Sequence, residues 1–250
     1  MNGIKGDTNY MTINANILNL IRFTESKIVC TGGVVFIGDG STGKTHTAMN
    51  ITGYRGFAFF DPVDESLKKS VNLELNYFIF QSNIEEYQIR TSSQIFIMPG
   101  QKGRNPKGEG LAFEDAADLY FDISPISVVL CVVLTFDLTD IKTFQELEYW
   151  LDRAIERDLI QDYTSIIILG THLEQEENIE VSDENIENAR HFVHQQISGK
   201  IGVNLNMDNI HGIKVSNLSN VGIEEVKVAI NSSFLSAFNI MGIINGIGKS

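Results

Sequence analysis

Eight consecutive residues carry the clearest chemistry in the chain: Gly38-Asp39-Gly40-Ser41-Thr42-Gly43-Lys44-Thr45. They fit the spacing G-x-x-x-x-G-K-[ST]. Glycines let such a loop wrap so that successive N–H groups point inward at phosphate oxygens. Lys44 then reaches the outer phosphates, and the Thr45 hydroxyl is offered to Mg²⁺. The helix expected to open at His46 turns its positive end toward the same anion. From average composition, a chance match in a chain this long is roughly 1 in 100. Asp39, Gly40, Ser41, Thr42, Gly43, Lys44, Thr45 and His46 therefore read as a site for a nucleoside triphosphate with its cation.

Three later loops each follow a short strand-like run. After Gln94–Met98 comes Pro99-Gly100-Gln101. The Gly100 N–H can donate to a terminal phosphate, and Gln101 can orient an attacking water. After Ser165–Leu169 comes Gly170-Thr171-His172-Leu173-Glu174. A carboxylate at Glu174 can accept from N1–H and the 2-amino group of guanine, a donor pair that adenine lacks. After Gly212–Val215 comes Ser216-Asn217-Leu218, whose backbone N–H groups can meet the guanine oxygen. Gln101 and Lys44 are the expected catalytic residues. The chemistry is positioning and electrostatics, with no protein nucleophile.

With these motifs in this order, the chain resembles the Ras-like small GTPases from about Val34 to Phe238. Gly38–Thr45 matches the first motif in full. Phe136-Asp137-Leu138-Thr139-Asp140, then Phe144 and Trp150-Leu151, is similar to the Rab-type stretch after the fourth strand. Ser216-Asn217-Leu218 resembles the Ser-Ala-Lys turn. Ile97-Met98-Pro99-Gly100-Gln101 is most similar to the bacterial and archaeal MglA-type GTPases. The resemblance implies a cytoplasmic GDP/GTP switch that hydrolyses GTP slowly with Mg²⁺. It also implies activating, exchange and effector proteins as partners. Residues 55–72 and 99–112 are the expected switch loops.

The pattern departs in places. Ile97 stands where the family carries its magnesium-proximal aspartate, which leaves Asp61 and Asp64 as the expected acids beside Thr45. Thr171-His172-Leu173-Glu174 replaces Asn-Lys-x-Asp. Roc domains use a similar Thr-His-x-Asp, but Glu174 is one methylene longer and must fold back to reach a base. Ser66 and Ser70 are the nearest hydroxyls for the missing switch threonine. Arg55, Arg90 and Arg104 are internal sources of a charge-neutralising arginine, with a partner's arginine, or none, favoured over them. These departures keep two rivals in view: a pseudo-GTPase that holds nucleotide without turnover, and an ATP-using P-loop enzyme.

Holding four loops on one side requires strands that alternate with helices. The expected fold is α/β: a P-loop domain with a central, mainly parallel sheet, one antiparallel edge strand and helices on both faces. Leu73–Phe80 and Gln94–Met98 read as strands with Asn83–Ser93 as the hairpin end, and Val34–Ile37, Ser127–Phe136 and Ser165–Leu169 read as buried strands. Phe144, Leu147, Leu151 and Ile155 mark one helix. Ile186, Ala189, Val193 and Ile197 mark a second, and Ile223, Val226 and Ile230 a third. The division expected is an N-terminal extension over 1–32, a GTP-binding domain over 33–240 and a tail over 241–250. In the extension, Ile13, Ile17, Leu20 and Ile21 would line one helix face. Cys131 reads as core, Trp150 as half-buried packing, and His191 with His194 as part of a solvated face.

Composition bounds the partners. The 250 residues carry 19 Lys plus Arg against 32 Asp plus Glu, a formal charge of −13. That excludes a general nucleic-acid binder. Two cysteines exclude a disulfide framework and suit a reducing compartment. No secretory signal is expected. Residues 228 to 248 lack charge but are half polar, so no transmembrane span is expected, while a peripheral membrane contact stays open. Seven acids and no lysine or arginine fall between Glu174 and Glu187.

Overall fold

The computed structural model describes residues 21–24, 27–53, 74–84, 87–104, 111–123 and 128–240. Its strands are β1 (Ile21–Thr24), β2 (Lys27–Ile37), β3 (Glu74–Ile84), β4 (Tyr87–Ile97), β5 (Val129–Asp137), β6 (Ser165–Thr171) and β7 (Ile210–Lys214). Six of them lie in the order β3-β4-β2-β5-β6-β7. All neighbours in that row are parallel except β3 on β4, which forms the antiparallel edge. The architecture is α/β, as expected.

The helices are α1 (Lys44–Thr52), α2 (Phe113–Ala117), α3 (Ile141–Gln145), α4 (Leu147–Glu156), α5 (Asp183–Ile201) and α6 (Ile223–Ile240). A π-helical turn over Asp118–Ile123 continues α2. One core lies between the sheet and α2, α4 and α5, around Phe113, Trp150, Leu151, Ile186 and Val193. The other lies under α1 and α6, around Ala48, Ile51, Val226, Ile230 and Phe234. Every residue of β6, and all of β5 but Asp137, is buried, so these strands are apolar on both faces because both faces are covered. Among the described residues no helix is long and apolar enough to cross a membrane.

Several boundaries differ from expectation. β2 begins at Lys27, not Val34, and β1 also lies in the stretch expected to be an extension. Ile21 opens a strand, not a helix; Ile13, Ile17 and Leu20 lie outside the described residues. Gly32-Gly33 lies inside β2, where Gly32 serves close packing. The β2–β5 register shifts between Gly33 and Val34, leaving Leu130 as the extra residue of β5. That bulge turns Leu130 to the same core as Cys131. A Cβ at Gly32 would fall 2.5 Å from Leu130 Cδ1, so a larger residue there would force the Leu130 side chain to shift. β1 pairs antiparallel with Lys27–Cys30 on the edge of β2 away from β4, end to end with β5, a second antiparallel pairing that was not expected.

The β3–β4 hairpin is also longer, with two strands of 11 residues. Gln81, Arg90, Ser92 and Ser93, expected in or beside its end, lie in the ladder. Backbone pairing needs no apolar side chain, so polarity misplaced the turn. The helix expected through Phe144, Leu147, Leu151 and Ile155 is two, α3 and α4, broken at Glu146.

Candidate functional site

The carboxyl ends of β2, β4, β5, β6 and β7 lead into the loops singled out by sequence, all on one side of the sheet. The glycine loop runs from β2 to α1. Gly38 takes φ 152°, and a Cβ there would sit 2.1 Å from the Thr135 carbonyl oxygen. Gly43 takes φ 76° as the residue before α1. The loop turns back on itself. Thr42 Oγ1 donates to the Asp39 carbonyl at 2.9 Å, and Lys44 Nζ donates to the carbonyls of Gly38 at 2.8 Å and Asp39 at 2.5 Å. Lys44 is only 6% exposed. Helix α1 has no side-chain cap and no acid in its first turn, unlike α5 and α6. Its N-terminal N–H groups and dipole thus face the loop with no carboxylate in the helix's own first turn.

The loop after β4 lies on the glycine loop. A Cβ at Gly100 would come within 2.1 Å of Gly40 N and 2.4 Å of Asp39 C, so this contact tolerates only glycine. The Gln101 carbonyl accepts from Phe113 N at 2.9 Å, while its side-chain Oε1 is buried without a protein hydrogen-bond partner. Lys102 pairs with Glu146 at 2.5 Å and lies 4.6 Å from the Tyr149 ring centroid.

The loop after β6 is stitched to the glycine loop by Thr171, which is fully buried. Its hydroxyl is shared between the carbonyls of Thr42 at 3.0 Å and Phe136 at 3.1 Å. His172 takes φ 61°, and its Nδ1 lies 3.0 Å from Asp137 Oδ2. The Asp137 carboxylate, by its hydrogen bond, raises the His172 pKa above the ordinary histidine value against partial burial. Burial pushes Asp137 up, but hydrogen bonds from His172 and Thr139 outweigh it and hold the carboxyl below its ordinary value. The protein around its ring, then His172 itself, hold His46 below the ordinary histidine value. Glu174 Oε2 is buried and has no protein hydrogen-bond partner.

Asn217 anchors the loop after β7. Its Oδ1 accepts from Thr47 Oγ1 at 3.0 Å, and its carbonyl accepts from Asn50 Nδ2 at 2.9 Å. A Cβ at Gly43 would lie 3.0 Å from Asn217 Nδ2 and 3.3 Å from Thr171 Cγ2, so Gly43 is the point where three loops meet. Ser216 is buried, and Leu218 is 72% exposed.

The fold therefore gathers Asp39–Lys44, Gly100, Thr171 and Asn217. Asp61, Asp64, Ser66, Ser70 and Arg55 lie outside the described residues. Ile97 is 1% exposed in the α1–α6 core. Of the described internal arginines, Arg90 sits seven residues before the end of β4, about 23 Å from the loop end of that strand. Arg104 is taken up by Asp115 at 3.4 Å and Asp118 at 2.7 Å. Neither is placed to serve the glycine loop.

Trp150 was expected half-buried but is 1% exposed, because its ring fills the core against Phe113 and Tyr149. Its indole Nε1 donates to Asp39 Oδ1 at 2.9 Å. That contact, Asp137 on His172, and Asn50 on the Asn217 carbonyl were not foreseen. A buried indole needs an acceptor, which was a usable signal for the first. A search of protein-family models and of curated proteins finds none that the chain matches.

Proposed function

We propose that this chain binds GTP and GDP and hydrolyses GTP as a slow, Mg²⁺-dependent molecular switch of the Ras-like type, served by activating, exchange and effector proteins. One observation carries the reading. The loop Gly38–Thr45 joins a central parallel strand to an uncapped helix, with the Lys44 ammonium buried on the loop's own carbonyls. Ligands of open α/β sheets bind outside the carboxyl ends of the strands, where this loop lies.

The residues fit a nucleotide. Loop N–H groups and Lys44 would hold phosphates, and Gly100 leaves the backbone of its loop close to Gly40. The buried oxygens of Glu174 and Gln101 that lack protein partners are the right type to accept from a guanine edge and from a water. Thr45 would hold Mg²⁺ together with nucleotide oxygens, and the ion would neutralise charge on the phosphates. Gln101 would orient the attacking water, and Lys44 would balance charge at the outer phosphates. Thr171 and Asn217 position the glycine loop and touch no reacting atom.

Ile97 favours a second reading, in which nucleotide is held without turnover. Its buried side chain offers no ligand to a cation. Two measurements separate the readings. Equilibrium titration with labelled GTP and ATP should show preference for GTP; tighter ATP binding overturns the base assignment. Single-turnover phosphate release with Mg²⁺, with and without candidate activators, should show hydrolysis. Tight GTP binding with no release under any condition leaves the non-hydrolysing reading.

A further inference from the structure

Trp150 is the only tryptophan in the chain. It lies on α4, buried, with its ring edge-on to Phe113 at 5.4 Å and to Tyr149 at 5.1 Å between centroids. These neighbours fix the direction of its N–H, which meets Asp39 Oδ1. Asp39 is the second residue of the glycine loop. Its carbonyl takes the Lys44 ammonium, and its peptide bond to Gly40 is the surface on which Gly100 rests. A carboxylate at that position is an electrostatic problem for a loop that gathers N–H groups around an anion, because like charges repel strongly where water is partly excluded. The fold deals with it by giving the carboxylate a buried donor on the far side, in a charge-assisted hydrogen bond.

Resting on the proposed nucleotide reading, we infer that Trp150 is a positioning residue for phosphate binding: it holds the Asp39 carboxylate against α4 and out of the phosphate cradle. Trp150 touches no ligand itself. It acts through Asp39, and its ring also backs Phe113, whose N–H donates to the Gln101 carbonyl. Loss of the indole N–H leaves the carboxylate without that partner, and it turns toward the loop N–H groups that a phosphate needs. Loss of the charge at Asp39 removes the reason for the restraint.

The test uses the full chain as wild type, W150F, D39N and W150F/D39N, with fluorescent GTP affinity measured in the presence of Mg²⁺ and a thermal melt of each. W150F should bind about tenfold more weakly than wild type, about 1.4 kcal/mol. In the D39N background the same change should shift affinity by less than about twofold. Equal weakening in both backgrounds means the indole is only a core filler and overturns the inference, as does unchanged affinity in W150F. If W150F does not fold, benzothienylalanine at position 150 replaces the indole N–H with sulfur and keeps the ring; wild-type affinity in that protein also overturns it. A wild-type chain that binds no nucleotide instead removes the reading of the site on which the inference stands.

Discussion

Replacing Thr171 with valine exchanges one hydroxyl for a methyl group of nearly the same shape, so it opens no cavity. The hydroxyl has a single proton, shared between the Thr42 and Phe136 carbonyls at 3.0 and 3.1 Å. One donated hydrogen bond is therefore lost, not two, and with it the 3.1 Å contact between the hydroxyl oxygen and His172 Nδ1. The position is fully buried, so water cannot replace the donor. A lost bond together with a poorly satisfied buried carbonyl costs about 1–2 kcal/mol. For a domain of this size, each kcal/mol moves the melting temperature by about 2–4 °C, so T171V should melt about 2–8 °C below wild type. Because the Thr42 carbonyl belongs to the glycine loop, nucleotide affinity should fall as well. Calorimetric melting and GTP titration read the two effects. A melting temperature within about 1 °C of wild type would refute the claim that this hydroxyl braces the loop. A lower melting temperature with unchanged affinity would show that the brace does not reach the ligand.

Other substitutions probe the same reading. K44E places a carboxylate where an ammonium sits on two carbonyls, and GTP titration should detect no binding; affinity within threefold of wild type rejects Lys44 as a phosphate contact. Q101L should slow single-turnover hydrolysis by at least about tenfold with GTP affinity little changed, and an unaltered rate removes Gln101 from the mechanism. The His172–Asp137 pair predicts a pH profile. The His172 pKa is raised, so its contribution is full below about 6.5 and fades as pH climbs through the folded value. The Asp137 pKa is depressed, so its contribution is present above about 3.9 and is lost as pH falls through the folded value. The stability gap between wild type and D137N should therefore be widest, about 1 kcal/mol, near pH 4–6.5 and should shrink by pH 9 in urea unfolding. A gap that grows with rising pH contradicts the pairing.

The glycine loop, the three loops that join it and the longer helices were legible because they rest on local rules. Spacing names Gly38–Thr45, and runs such as Ser165–Leu169 announce a strand covered on both sides. What escaped depends on partners distant in sequence. The start of β2 before Val34 was not read, because the place of Gly32 in the strand depends on Leu130 occupying the space above it. Polar residues such as Ser92 and Ser93 hid the inner half of β4, since ladder bonds belong to the backbone. Helix α2 was missed because it is only five residues long and is fixed by the Phe113 and Glu114 N–H groups reaching the carbonyls of Gln101 and Gly103. Asp39 shows the same limit within the site: its place in the motif was plain, while the destination of its carboxylate was set by a residue 111 positions away.

The placement of β1 end to end with β5 means that β2 is braced along nearly its whole length, by β4 on one side and by β1 and then β5 on the other. In mechanical terms, β2 is a beam held along both edges, and the glycine loop continues from its end. A force applied there cannot be absorbed by bending or sliding the beam, because that would shear three ladders at once. Strain at the loop passes sideways, through Gly100 to the segment before α2, through Asp39 to α4, and through Thr171 and Asn217 to the loops after β6 and β7. The sheet acts as an abutment, and a change at the loop is handed on through contacts that are each one residue wide.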